Sequence, residues 1–170
     1  MKKLPGLSVL LLALAWSPSN DAQERVGAFR LYEVRDEASG ELRQSIHTDP
    51  LRASLSPTAD VDLIWICASG NLRVLYTFGT ALRGDGTGAV EVRFKADDDA
   101  PFIEQQWWVS SGGRRLVMAL GDEPDLNAIA SLEGTLITEV RDPSDGRQFS
   151  HRFLLTRFKR ALEHLPCAER

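Results

Sequence analysis

Two cysteines, Cys67 and Cys167, are the whole cysteine complement of the chain, and a bond between them would tie its middle to its end. Whether they pair depends on compartment, because thiols stay reduced in the cytosol and oxidise outside it. The N-terminal residues bear on that question. Lys2 and Lys3 precede an apolar run from Leu7 to Trp16, followed by the small, polar stretch Ser17-Pro18-Ser19-Asn20-Asp21-Ala22. That order is the order of a secretory signal peptide. The apolar core is about ten residues, against the roughly 20 that a helix needs to cross a bilayer, and no second apolar run follows.

Residues 1–22 are therefore expected to be a signal peptide, cut between Ser19 and Gln23, and residues 23–170 a single domain in the periplasm or outside the cell. No cysteine lies near the cut, so no lipid-modified N-terminus is expected there. In an oxidising compartment Cys67 and Cys167 pair by default. Closing a loop of about 100 residues contributes roughly 4 to 5 kcal/mol in the chain-entropy model. A reactive thiol or a metal pair fits poorly, because there is no CxxC and the two positions lie far apart.

Loss of the leader removes Lys2, Lys3 and Asp21 and takes the formal charge from −4 to −5. Arginines and carboxylates are interspersed, and the densest like-charge run is Asp97-Asp98-Asp99. A nucleic-acid partner needs a clustered basic face, which this sequence lacks. About 148 residues remain of 170, enough for one domain with a proper core.

Period-2 alternation recurs through that stretch. Phe29, Leu31 and Val34 start a first strand, Asp36-Glu37-Ala38-Ser39-Gly40 reads as a turn, and Leu42 to Thr48 as a second strand. Asp49 to Asp60, with Pro50 and Pro57, reads as a connection. Asp62 to Cys67 and Asn71 to Gly79 form a hairpin through Ala68-Ser69-Gly70-Asn71, with Leu72, Val74, Tyr76 and Phe78 on one face.

Val90, Val92 and Phe94 alternate with Glu91, Arg93 and Lys95, the clearest strand with one buried face. Its partner is Glu104 to Val109, across the acidic loop, and Ser110-Ser111-Gly112-Gly113 turns the chain into Arg114 to Leu120. Leu126, Ile129 and Leu132 suggest a short helix after Pro124. Thr135 to Arg141 and Gln148 to Leu155 are two more strands, joined by the turn Asp142-Pro143-Ser144-Asp145-Gly146.

Thr156 is placed to cap a last helix whose stripe is Phe158, Ala161, Leu162 and Leu165, ended by Pro166. The expected fold is mainly β with some helix (α+β): an antiparallel β-sandwich or open barrel, with a C-terminal helix pinned to it by the Cys67–Cys167 disulfide.

Several of these residues together resemble a known family. A cysteine ending one strand, Leu72-Arg73-Val74-Leu75-Tyr76 in the next, Val90-Glu91-Val92-Arg93-Phe94, Trp108-Val109-Ser110-Ser111 with a following glycine, and Phe153-Leu154-Leu155 leading into Phe158, Ala161-Leu162 and Cys167 look like the VasI-like proteins associated with bacterial type VI secretion systems. The match covers roughly residues 60–168. In that family a glycine usually precedes the last helix, where this chain has Arg157. The resemblance implies a periplasmic accessory protein without a known enzymatic activity, associated with a secretion apparatus, and it brings no catalytic residues.

The chemical inventory read by itself is sparse. His47, His151 and His164 have no second His or Cys at ligand spacing, so no metal site is expected, and no cofactor. His164 reads as solvated and His151, between Phe149 and Phe153, as a half-buried, hydrogen-bonded structural residue. Ser110 and Ser111 do not sit in the GxSxG elbow that a nucleophile needs. The run Asp97-Asp98-Asp99 lacks the glycine hinge and distal Glu of a calcium loop and reads as solvated. With 24 acidic residues, carboxylate pairs for glycoside hydrolysis exist on any fold, and nothing singles one out.

Trp107 and Trp108 are adjacent on a strand and must face opposite ways. Trp107 shares a face with Val109 and is the one expected in the core. Trp108, with Arg73 and Arg93 on outward faces of nearby strands, is then the candidate contact surface. Three functions follow as expectations. The first is a non-catalytic accessory or binding protein whose partners are envelope or secretion-apparatus proteins. A small-ligand or polysaccharide binder, using the barrel mouth or the Trp108 face, is the second, and a hydrolase with an unrecognised carboxylate pair is the third.

Overall fold

The computed structural model describes residues 24–35, 40, 42–51, 61–68, 70–78, 80–85, 88–110, 115–118 and 134–167. The expected leader over 1–22, the helix expected after Pro124, the glycines of the Ser110–Gly113 turn and most of the turn over 36–40 lie outside the described residues.

Among the described residues the chain forms ten strands and one short helix. In chain order these are β1 (Glu24–Val26), β2 (Phe29–Arg35), β3 (Leu42–Thr48), β4 (Leu63–Ala68) and β5 (Asn71–Thr77). Then come β6 (Ala89–Ala96), β7 (Ile103–Val109), β8 (Arg115–Met118), β9 (Thr135–Arg141), β10 (Gln148–Leu154) and α1 (Phe158–Leu162). Every pairing is antiparallel, and the ladder runs β1-β2-β3-β4-β5-β8-β7-β6-β9-β10.

The ladder returns on itself. Just past β3, Pro50 bridges Phe153 of β10, and the Leu51 N–H donates to the Arg152 carbonyl at 2.6 Å. The expected open barrel is thus what the chain forms, with β1 and β2 extending beyond the seam. Its opposite walls pack over one core, as the two layers of a sandwich do.

Alternation places that core where expected. Val90, Val92 and Phe94 of β6 point inward, as do Val74 and Tyr76 of β5 and Phe153 of β10. The helix joins the same core: Phe158 stacks on Phe29 at 5.2 Å between centroids and tilts against Trp65 at 4.5 Å. Such pairs add about 0.5–1.5 kcal/mol each beyond their buried area. Ala161 and Leu165 continue the buried stripe, and Cys167 bonds to Cys67 near the end of β4, with 5.8 Å between Cα atoms.

One expectation fails at this helix. Thr156 does not cap it: the capping position is Arg157, with φ 64° and no side-chain hydrogen bond. The backbone there is left-handed, and the β1–β2 turn packs closely against it. A Cβ on Gly27, itself at φ +61°, would stand 2.2 Å from the Thr156 carbonyl oxygen. A left-handed residue with a side chain is strained by about 1–2 kcal/mol, a cost glycine avoids while losing more entropy on folding. Arg157→Gly is therefore expected to raise stability by about 0.5 kcal/mol in urea denaturation, and a loss of stability there would contradict the left-handed assignment.

Candidate functional site

Trp107 and Trp108 of β7 divide as the alternation requires. Trp107 is 3% exposed, opposite the inward Val90, whereas Trp108 is 47% exposed, opposite Ala89. Trp108 therefore stands on the outward side of the sheet. Two residues back along the strand, Gln106 faces Glu91 of β6, and Glu91 faces Arg141 of β9. Next to this row lies a groove of about 350 Å³ lined by Glu91, Arg93, Glu139, Arg141, Gly146 and Gln148.

Arg93 sits at the middle of that row of charges and is already engaged. Its Nε is 3.4 Å from Glu104, its Nη1 3.7 Å from Glu139, and its guanidinium carbon 4.3 Å from the centre of the Phe102 ring. Exposed pairs of this kind contribute little to stability and chiefly fix the side chain. Arg73 reaches the same side by register: Leu75, two residues on, pairs with Val117, which pairs with Trp108. The Arg73 Nε is buried and has no hydrogen-bond partner. The three expected contact residues thus share one outward side of the sheet, with Trp108 its exposed apolar group.

Further along the same side, the acidic loop is not merely solvated. Asp98 takes both terminal nitrogens of Arg152, at 2.6 and 3.0 Å, and its carbonyl accepts from Lys95. That contact holds the Asp98 carboxyl below its ordinary range and raises the Arg152 guanidinium.

Among the described residues the barrel interior holds little free space. A void of about 10 Å³ lies among Leu63, Trp65, Tyr76, Phe94, Trp107 and Leu136, room for one water at most. His151 is fully buried beyond expectation: its Nδ1 meets the Tyr76 hydroxyl, which also meets Thr138 at 2.7 Å. Burial outweighs the Thr138 hydrogen bond and drives the Tyr76 hydroxyl far above its ordinary pKa, so Tyr76 stays protonated.

A second polar cluster, not expected from sequence, lies on the outward side of β2, β3 and the start of β4. Arg30 is the cross-strand partner of His47 and Tyr32 of Ser45, and the β3–β4 register carries on to set Asp49 opposite Asp62. One terminal nitrogen of Arg30 donates to both Asp49 and Asp62, the second at 2.9 Å, and the other donates to the Tyr32 hydroxyl at 2.9 Å. Asp49 and Asp62 converge on the first of these nitrogens. Burial and the neighbouring Asp62 carboxyl push the Asp49 carboxyl up to about 6, against the pull of Arg30 and Arg25. Burial would raise Asp62 too, but the neighbouring His47 and Asp49 side chains and the Arg30 charge hold it below its ordinary value.

His47 completes the cluster. Its Nε2 is 3.0 Å from Ser45 Oγ and its Nδ1 3.8 Å from Asp62 Oδ2, the connectivity of a hydrolytic triad. Two features argue against that chemistry. Ser45 is 5% exposed, and it lies mid-strand between β2 and β4, where backbone N–H groups serve the ladder instead of an oxyanion. Among the described residues no three His, Cys, Asp or Glu side chains gather to hold a metal ion. Arg30-Tyr32 and Ser45-His47 at a spacing of two are the only trace of this cluster in the sequence.

Compared with protein-family models, curated proteins and solved structures, the chain gives no significant match.

Proposed function

We propose that this chain is a non-catalytic accessory protein of the bacterial envelope that binds a protein of a type VI-like secretion apparatus through the outward side of β5, β7 and β6. The observation that carries the reading is Trp108, a large ring left half exposed beside fixed charges; interface hot spots are enriched in such anchors with polar rims. The family resemblance supports it, and Arg157 adds to that support. Where the VasI-like pattern has a glycine, this backbone takes the left-handed conformation that glycine favours.

A photo-crosslinking residue at position 108, in cells carrying a type VI system, is expected to capture a discrete apparatus protein that the same probe at Glu163, on the helix, does not. Trp108→Ala is expected to weaken the purified pair by about 2 kcal/mol, roughly 30-fold in Kd. Equal labelling at both positions, or an unchanged Kd, contradicts the proposal.

The groove beside Trp108 favours a second reading, in which the same side takes a polysaccharide. Its lining of Glu91, Glu139, Arg93, Arg141 and Gln148 offers both donors and acceptors to hydroxyl groups, with an aromatic ring on the same side. Thermal-shift measurements against cell-wall fragments test this reading, and a flat response across the panel removes it.

A further inference from the structure

We propose that Asp49 and Asp62 form a proton-operated latch that tightens the barrel seam in mildly acidic conditions and slackens it near neutrality. Position is the first ground. Asp49 is the last residue before Pro50 and Leu51, which make the backbone contacts to β10 that close the barrel. Asp62, directly across, opens β4 and is itself fastened: its N–H donates to Thr77 Oγ1 at 2.8 Å, and its carbonyl accepts from the Thr77 N–H at 2.8 Å. A firm residue therefore faces one at the start of the seam.

The second ground is the balance of charge. Arg30 donates to both carboxylates from the same terminal nitrogen, so one positive charge serves two negative groups. With one proton between them, Asp49 and Asp62 hydrogen-bond to each other and to Arg30. Without it, two negative groups compete for one cation. The other charged groups facing the pair are Arg25 from β1 and His47 from β3, with the Tyr32 hydroxyl from β2. On the β10 side Arg152 gives its carbonyl to Leu51 but turns its guanidinium to Asp98.

The sign follows from the two shifts. A carboxyl raised in the native state binds its proton more tightly than the unfolded chain does, so the contribution of Asp49 falls as pH rises from about 4 to 6. Asp62, lowered, contributes the opposite way and loses its part only below the ordinary carboxylate range. The Asp49 side chain is 54% exposed, so solvent screening limits the effect to a few-fold.

Amide exchange read by NMR, corrected for the intrinsic pH dependence, tests the latch. Protection of the Leu51 amide is expected to fall by about three- to tenfold between pH 5 and pH 7 relative to amides of β6 and β7. The fall persists in His47→Gln and vanishes in Asp49→Asn. A flat wild-type profile, a fall that survives Asp49→Asn, or its loss in His47→Gln overturns the proposal. Should Asp49→Asn fail to fold, the carboxyl carbon shifts of the wild-type protein decide: the Asp49 midpoint must coincide with the change in Leu51 protection, and an Asp49 midpoint in the ordinary carboxylate range refutes it.

Discussion

Replacing Cys67 and Cys167 together by alanine is expected to lower stability by about 3–5 kcal/mol, a fall in Tm of roughly 10 °C for a domain of this size. The bond spans a sequence separation of 100 residues, so most of its effect is the freedom that the unfolded chain regains when it is cut. The folded side of the balance adds to this. Helix α1 has five residues, far below the length at which a helix holds itself, and without the bond its docking rests chiefly on the packing of Phe158, Ala161, Leu162 and Leu165. Thermal unfolding of the double variant, beside wild type with and without reductant, gives the number. A midpoint within about 2 °C of oxidised wild type would mean that aromatic packing alone secures the tail.

Asp142 carries the second large effect. Its side chain has no exposed surface, yet it holds a charge in the turn between β9 and β10. The carboxylate accepts from the backbone N–H groups of Arg83 at 2.8 Å, Gly84 at 3.2 Å and Ser144 at 3.0 Å, with Arg147 Nη2 at 3.7 Å. It thereby fastens the chain between β5 and β6 to the β9–β10 turn. Burial by itself would raise the Asp142 carboxyl, but the N–H groups of Arg83, Ser144 and Gly84 and the Ser144 hydroxyl outweigh it and hold the group below its ordinary range.

Asp142→Ala strands those donors and is expected to cost about 3 kcal/mol, measured by urea denaturation at pH 7. Asp142→Asn keeps one carbonyl acceptor and costs less. Because a lowered carboxyl stabilises only while ionised, wild-type stability should fall as pH drops below about 4, and the alanine variant should show a smaller fall. A loss under about 1 kcal/mol in Asp142→Ala would contradict this role.

Strand positions were legible because each inward residue is apolar and each outward one polar. Val90-Glu91-Val92-Arg93-Phe94 states its own orientation, and the same rule separated Trp107 from Trp108. The disulfide was legible too, from a chain with two cysteines and no CxxC. What the sequence did not carry is register between strands. Ladder order places β8 between β5 and β7, and only that order sets Arg73 near Trp108.

The Arg30–Asp49–Asp62 cluster is hidden for the same reason: its members lie 19 and 32 residues apart and meet only through pairing of β2, β3 and β4. The Thr156 cap failed differently. Local chemistry favoured a threonine cap, but the capping position falls on Arg157, where Gly27 packs against the Thr156 carbonyl oxygen. Tertiary contact accompanies the loss of that local preference.

Export and the oxidised bond underlie the proposed binding role, and intact mass spectrometry of protein recovered from the periplasm tests both at once, with alkylation before and after reduction. The expected species lacks residues up to about Ala22 and gains two alkyl groups only after reduction. An uncleaved chain carrying two free thiols would contradict export and the bond together, and would move the search for a partner to the cytoplasm.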